Sequence, residues 1–172
     1  LTPHPSRLTK MLAILGGTGL SELANLRVTR RRAVRTPYGK PSGALVFGTI
    51  RGRKVVFLPR HGPGHTIPPH QVNYRANIWA LHAQKVKDVV SVASVGGIRA
   101  EHGHGTLVVP DQIIDYTHGR SSTFFTRGRG PVTHVDFTRP YCEALRQRLL
   151  QAARAAGEAL VADGTYGATQ GP

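Results

Sequence analysis

Arg60 and His61 stand side by side where an apolar run, Val55-Val56-Phe57-Leu58, ends at Pro59. The run is rich in β-branched residues and reads as a buried strand. A guanidinium fork beside an imidazole suits a tetrahedral oxyanion such as phosphate. Ligands of open α/β sheets bind just outside the carboxyl ends of strands, where these two residues would lie. The simpler reading of the next four residues, Gly62-Pro63-Gly64-His65, is a solvated basic loop. Gly16-Gly17-Thr18-Gly19 offers a second anion-binding pattern behind the apolar run Leu12 to Leu15. Glycines let a backbone turn tightly and present its N–H groups, and Thr18 adds a hydroxyl. Leu20, Leu23, Ala24 and Leu26 recur with helical spacing, which predicts a helix with this loop at its amino terminus. A third strand, Asp88 to Val95, runs into Gly96-Gly97 and makes the Ser94 N–H or hydroxyl available to a ligand.

Other chemistries fit less well. Glu22 stands where the third glycine of a dinucleotide fingerprint belongs, and there is no Walker A sequence. His61-x3-His65 has helical metal-ligand spacing, but Gly62, Pro63 and Gly64 between them argue against a helix. His102, His104 and Glu101 share a glycine-rich turn without an arguable third ligand or supporting shell, so no metal is expected. Cys142 is expected in a helix core, and no GxSxG nucleophile elbow occurs.

The positioning elements can be read from pattern. Ala44 to Ile50 and Lys54 to Leu58 read as a hairpin around Arg51-Gly52. A helix is expected over 70–84, with Tyr74, Ile78 and Leu81 facing inward and Asn73, Arg75 and Asn77 nearer its polar side. Arg75 could reach the same anion as Arg60, or serve the surface. Leu107 to Val109 and Gln112 to Tyr116 read as a strand pair, and Gly128-Arg129-Gly130 as an exposed connector. Pro140 opens a helix whose inner face would be Cys142, Leu145, Leu149, Ala152 and Ala156, ended by Gly157. Leu160 to Ala162 would be a last short strand.

The 172 residues fit one loop-rich α/β domain with a real core. The net charge of +14 favours polyanions electrostatically, yet no zinc finger, RNA-binding signature or basic reading helix is present. Nucleic acid is therefore not the expected partner. Five arginines between Arg27 and Arg35, without an acid among them, are expected to be solvated surface. With Cys142 as the single cysteine no intrachain disulfide can form, which suits a reducing, cytoplasmic setting. No run approaches the ~18 apolar residues of a membrane span. Residues 1–10 are expected to be a disordered N-terminal extension, with Met11 the functional start.

Taken together, GGTGL at 16–20, RHGPGH at 60–65, VNYRANIWAL at 72–81, SVGGI at 94–98, PDQIIDYT at 110–117, THVDF at 133–137 and YGATQGP at 166–172 resemble the purine nucleoside phosphorylase and methylthioadenosine phosphorylase family. The PPHQVNYRANIWAL and VTHVDFTRPY pieces look most like its bacterial S-methyl-5'-thioinosine phosphorylase branch.

The resemblance implies a three-layer α/β/α nucleoside-phosphorylase fold with a central mixed sheet, residues 11–172 being the N-terminal portion of one domain. It implies a homotrimer that splits a purine nucleoside with inorganic phosphate as co-substrate, and no cofactor or metal. The expected reaction turns S-methyl-5'-thioinosine into hypoxanthine and 5-methylthioribose 1-phosphate in purine salvage. The alternatives are methylthioadenosine or general purine nucleoside phosphorolysis and, from another class, a non-catalytic phosphate- or polyanion-binding remnant. Thr18, Arg60 and His61 match phosphate-binding positions, Ala93 and Ser94 match the contact after the central strand, and Arg75 matches an arginine used in one branch. At Ala93 the family usually carries Thr, Ser or Asn, so one side-chain contact is absent. His65 and His134 match positions near the 5'-methylthio group, His134 reaching across from a neighbouring subunit. The family pattern continues past Pro172 into the base-recognition residues, the methionine under the ribose and another phosphate-binding hydroxyl. The C-terminal part of the domain is thus expected to be missing, no catalytic residue is assignable, and the 172-residue chain alone is expected to be inactive and poorly stable.

Overall fold

A computed structural model describes residues 11–20, 22–125 and 131–171. The expected extension at 1–10 and the connector Gly128-Arg129-Gly130 lie outside the described residues. The chain forms two compact units, Leu1–Ser94 and Val95–Pro172.

The first unit is built on a five-stranded mixed sheet. In chain order the strands are β1 (Leu12–Gly16), β2 (Arg27–Arg32), β3 (Leu45–Ile50), β4 (Arg53–Pro59) and β5 (Asp88–Ser91), and across the sheet they run β2-β3-β4-β1-β5. The predicted hairpin is present, β3 and β4 pairing antiparallel from Val46↔Phe57 to Ile50↔Arg53. Its two-residue turn puts Arg51 at φ 47° and Gly52 at φ 75°, the double positive φ that matches strand twist. β4, β1 and β5 are parallel neighbours, with Leu12 opposite both Val55 and Asp88. Their carboxyl ends therefore share one edge of the sheet. Ala13, Leu15, Phe47, Val56 and Leu58 form the core with Ala80 and Leu81 of helix α1 (Tyr74–Ala83). Each such large apolar side chain contributes roughly 1.5–3 kcal/mol by leaving water.

Three expectations for this unit are corrected. The strand expected over Asp88 to Val95 ends at Ser91, where its pairing with β1 stops. Among the described residues Leu20 and 22–26 form no helix; isolated turns close with Leu20 N on Gly17 O at 3.0 Å and Leu26 N on Leu23 O at 2.9 Å. So short a run gains few helical hydrogen bonds against the cost of nucleation, and its leucine packs on the sheet instead. Leu26 covers Gly48 of β3, where any β-carbon would collide with it. In α1 the buried face is Ala76, Asn77, Ala80 and Leu81, while Tyr74 and Ile78 are exposed. The helix is rotated because Asn77 has a buried partner: its Oδ1 accepts from Ser42 N at 2.8 Å and its Nδ2 donates to Ser42 Oγ at 2.9 Å. Asn73 caps the helix by accepting from Ala76 N at 3.0 Å, which starts it later than the apolar pattern suggests.

The second unit pairs β6 (Gln112–Asp115) with β7 (Thr165–Ala168) in parallel. The expected pairing of 107–109 with 112–116 is absent. Val108 bridges Val161, and the last strand is 165–168 rather than 160–162. Helix α2 (Glu143–Ala156) ends as expected at Gly157, whose φ of 73° closes a left-handed cap. Its buried face is Arg146, Leu150 and Ala153, one position on from the expected stripe, and Cys142 is exposed at its start. Arg146 causes the rotation. Its guanidinium donates to the carbonyls of Pro110 at 2.9 Å and of Ala162, and pairs with Glu143. Much of this unit's apolar surface is uncovered, including Ile98, Val132, Val135 and Phe137. Among the described residues no helix is long and apolar enough to cross a membrane.

Candidate functional site

Three adjacent parallel strands deliver three loops to one edge of the first unit. Arg60 leaves β4 with its N–H on the Gly16 carbonyl at 2.9 Å, and Val92 leaves β5 with its N–H on Leu15 O at 3.0 Å. Between them β1 runs into Gly17-Thr18-Gly19. The Arg60 side chain spans this exit, Nη1 donating to Val92 O at 2.6 Å. Its guanidinium fills the space a side chain on Gly17 would need, which is why a glycine stands there. On the other flank Ser94 Oγ donates to Thr18 O at 3.1 Å. Thr18, Arg60 and Ser94 are thus joined in one cluster, and His61 is the next residue along.

The cluster is rich in donors. Among the described residues the amides of Thr18, Gly19, His61, Ala93 and Ser94 donate to no carbonyl or side chain, and the rest of the Arg60 fork stays available. Unspent N–H groups and a guanidinium gathered at strand ends are the donor set that an anion site needs. The Ser94 hydroxyl is spent on Thr18, so of the two Ser94 donors expected from sequence the amide is the available one. Ala93 can contribute only its backbone.

His61 is buried at 5% exposure and locked to residue 67 twice. Ile67 N donates to His61 O at 2.9 Å, and His61 Nδ1 lies 2.8 Å from Ile67 O. The His65 ring packs against it, centroids 4.6 Å apart, on an exposed turn where His65 takes φ 58°. Arg75 lies in the first turn of α1 with its guanidinium over the Tyr38 ring at 5.1 Å. His134 lies in the second unit and is exposed. Sequence reasoning missed Val92 and Ile67, which act through backbone carbonyls and leave no side-chain signal.

The second unit holds two open clefts, and neither is lined by a sequence-predicted site residue. One of about 330 Å³ lies between His104–Leu107 and Ala159–Val161. The other, of about 470 Å³, is lined by Asp111, Gln112, Arg139, Tyr141, Glu143 and Arg146. Burial pushes the Tyr141 phenol up, with Tyr166 adding to it. Glu143 is held below the usual carboxylate range by hydrogen bonds from Gln147 and Arg146. No group of three His, Cys, Asp or Glu side chains among the described residues could hold a metal. Positive charge is concentrated in the first unit: residues 11–94 carry 13 basic and two acidic residues, so +11 of the chain's +14 resides there, a balance that attracts anions.

Residues 11–172 match the Phosphorylase superfamily, and the chain belongs to that family. It is 50% identical over 160 residues to a probable S-methyl-5'-thioinosine phosphorylase of Pseudomonas syringae pv. tomato, covering 93% of this chain and 65% of that protein. It is 46% identical over 170 residues to the S-methyl-5'-thioadenosine phosphorylase of Hyperthermus butylicus, covering 99% of this chain and 61% of that one. Its fold matches methylthioadenosine phosphorylase from Schistosoma mansoni in complex with adenine, with a TM-score of 0.89 and 34% identity over 95% of this chain and 66% of that one. The chain thus spans a little under two thirds of the relatives' length, within an α/β nucleoside-phosphorylase fold.

Proposed function

We propose that the complete protein cleaves the N-glycosidic bond of a purine nucleoside with inorganic phosphate, and that Thr18, Arg60, His61, Ala93 and Ser94 hold the phosphate. The observation that carries this reading is the joined cluster at the carboxyl ends of β4, β1 and β5, with Arg60 on Val92 O and Ser94 on Thr18 O. A phosphate oxygen attacks C1' of the sugar from the face opposite the base. The C1'–N bond breaks as the C1'–O bond forms, and the departing purine takes up a proton or hydrogen bond at its ring. Fixed donors around the phosphate neutralise its charge and position it for attack. No cofactor or metal enters this scheme. S-methyl-5'-thioinosine is the first substrate to test, because the Pseudomonas relative carries that name. Methylthioadenosine is the second, on the name of the Hyperthermus relative. His65, Arg75 and, across a homotrimer interface, His134 are assigned to the outer part of the same site. A cytoplasmic setting suits a chain whose one cysteine is exposed and free.

The test is hypoxanthine release by the complete gene product from methylthioinosine, with and without phosphate. Strict phosphate dependence is expected, and Arg60→Ala should lower kcat/KM for phosphate by about 10²-fold. Release independent of phosphate, or unchanged in Arg60→Ala, overturns the reading. The charge of residues 11–94 supports one rival, a non-catalytic polyanion binder. Salt-dependent DNA retention without nucleoside cleavage would favour that rival.

A further inference from the structure

We propose that this site selects its anion by protonation, taking phosphate as a hydrogen-bond donor through its own P–OH to His61 Nε2. The inference rests on the phosphate reading above and goes beyond it, because it names which form of the anion is bound.

A carbonyl oxygen can only accept, so the 2.8 Å contact with Ile67 O places the proton of His61 on Nδ1. In the neutral ring this leaves Nε2 with a lone pair. The ring cannot easily turn to present its other nitrogen. It is 5% exposed, lies against His65, and its own backbone carbonyl is held by Ile67 N. Nε2 makes no hydrogen bond among the described residues, yet it is not sealed from solvent. One buried side chain is therefore fixed with a single acceptor atom open to a ligand. Neither of the two salt bridges among the described residues involves His61.

The protein groups at the strand ends beside His61 are the Arg60 fork and backbone amides, all donors, with the Ser94 hydroxyl held on Thr18 O and the exposed Thr18 hydroxyl able to rotate. A fully deprotonated tetrahedral anion would set oxygen lone pairs against the Nε2 lone pair. HPO4²⁻ avoids this: three oxygens accept from the donors and the fourth donates. No bond to phosphorus or hydrogen breaks on binding. The hydrogen bond to Nε2 leaves the other oxygens their full negative charge, which suits attack on carbon.

The experiment is a set of competition titrations of the complete gene product against labelled phosphate at neutral pH, using sulfate and monofluorophosphate. Both competitors are tetrahedral dianions like HPO4²⁻, and neither has a proton to donate. Each should bind at least about tenfold more weakly than phosphate, the loss of one hydrogen bond. His61→Asn keeps an N–H near Ile67 O and deletes Nε2, so it should bring phosphate down to the level of the other two. Equal binding of all three anions by the unaltered chain overturns the proton-selective site while leaving a phosphate site standing. A preference that persists in His61→Asn overturns the assignment to His61. Absence of phosphate binding overturns the underlying site and this inference with it.

Discussion

Arg60 Nη1 donates to Val92 O at 2.6 Å, so a side chain leaving one strand is held by the backbone leaving another two places across the sheet. The bond spends one of five guanidinium N–H groups and fixes the direction of the rest. An arginine anchored this way loses little freedom when an anion arrives. The bond also sets β1 between the two anchored exits, which is where Thr18 lies.

Gly17→Ala tests the space beneath that guanidinium. The added carbon would overlap the far end of a flexible side chain, so Arg60 moves and the fold tolerates the change. Phosphate affinity should fall by about tenfold or more, with the unfolding midpoint nearly unchanged. A Gly17→Ala protein that binds phosphate normally would contradict the packing described.

Asn77→Ala removes both hydrogen bonds to Ser42 and leaves a buried N–H of residue 42 unpaired. The expected loss is about 2–3 kcal/mol, read as a lower denaturant midpoint for the first unit. Phosphate affinity, measured where the variant is folded, should follow the folded fraction only.

How much was legible in the sequence is shown by these same residues. The strands ending at Gly16 and Pro59 and the hairpin turn at Arg51-Gly52 can be read from composition and turn chemistry, and the structure contains them. The rotation of α1 cannot, because period alone does not tell that an asparagine finds a buried partner 35 positions earlier. Arg146 defeated the reading of α2 for the same reason: an inward-facing arginine is satisfied by carbonyls that no pattern marks. Helical spacing over Leu20 to Leu26 misled because so short a run gains little from helix formation, and Leu26 packs on Gly48 of the sheet instead. Arg60, Thr18 and Ser94 were legible as separate anion-binding pieces; that backbone carbonyls tie them into one cluster was not.

Arg146→Met keeps the stem of a buried side chain but removes donors to the Pro110 and Ala162 carbonyls. Those acceptors would be left poorly paired, destabilising the second unit by about 3 kcal/mol. The Glu143 contact adds little, since that carboxylate is half exposed. Hydrogen exchange at β6 and β7 should accelerate, and unchanged protection there would contradict the role given to Arg146.

Acid should act on the second unit through two capped aspartates. Hydrogen bonds from the Thr117 side chain and N–H hold Asp115 below its ordinary 3.8, and those of Thr138 do the same for Asp136. A depressed carboxylate contributes stability that is complete above its unfolded value and lost as pH falls through the folded one. Acid unfolding should therefore set in below the ordinary value of 3.8, and Asp115→Asn with Asp136→Asn should flatten that limb. An identical acid limb in the double variant would refute the assignment.

The most direct test of a shared phosphate site is a phosphate titration followed by amide chemical shifts in the isotope-labelled complete gene product. The Thr18, Gly19, His61 and Ser94 amides and the Arg60 side chain should shift together along one saturation curve. Shifts that are absent at these positions, or that saturate at different concentrations for different strand ends, would show that the three loops do not hold a common ion.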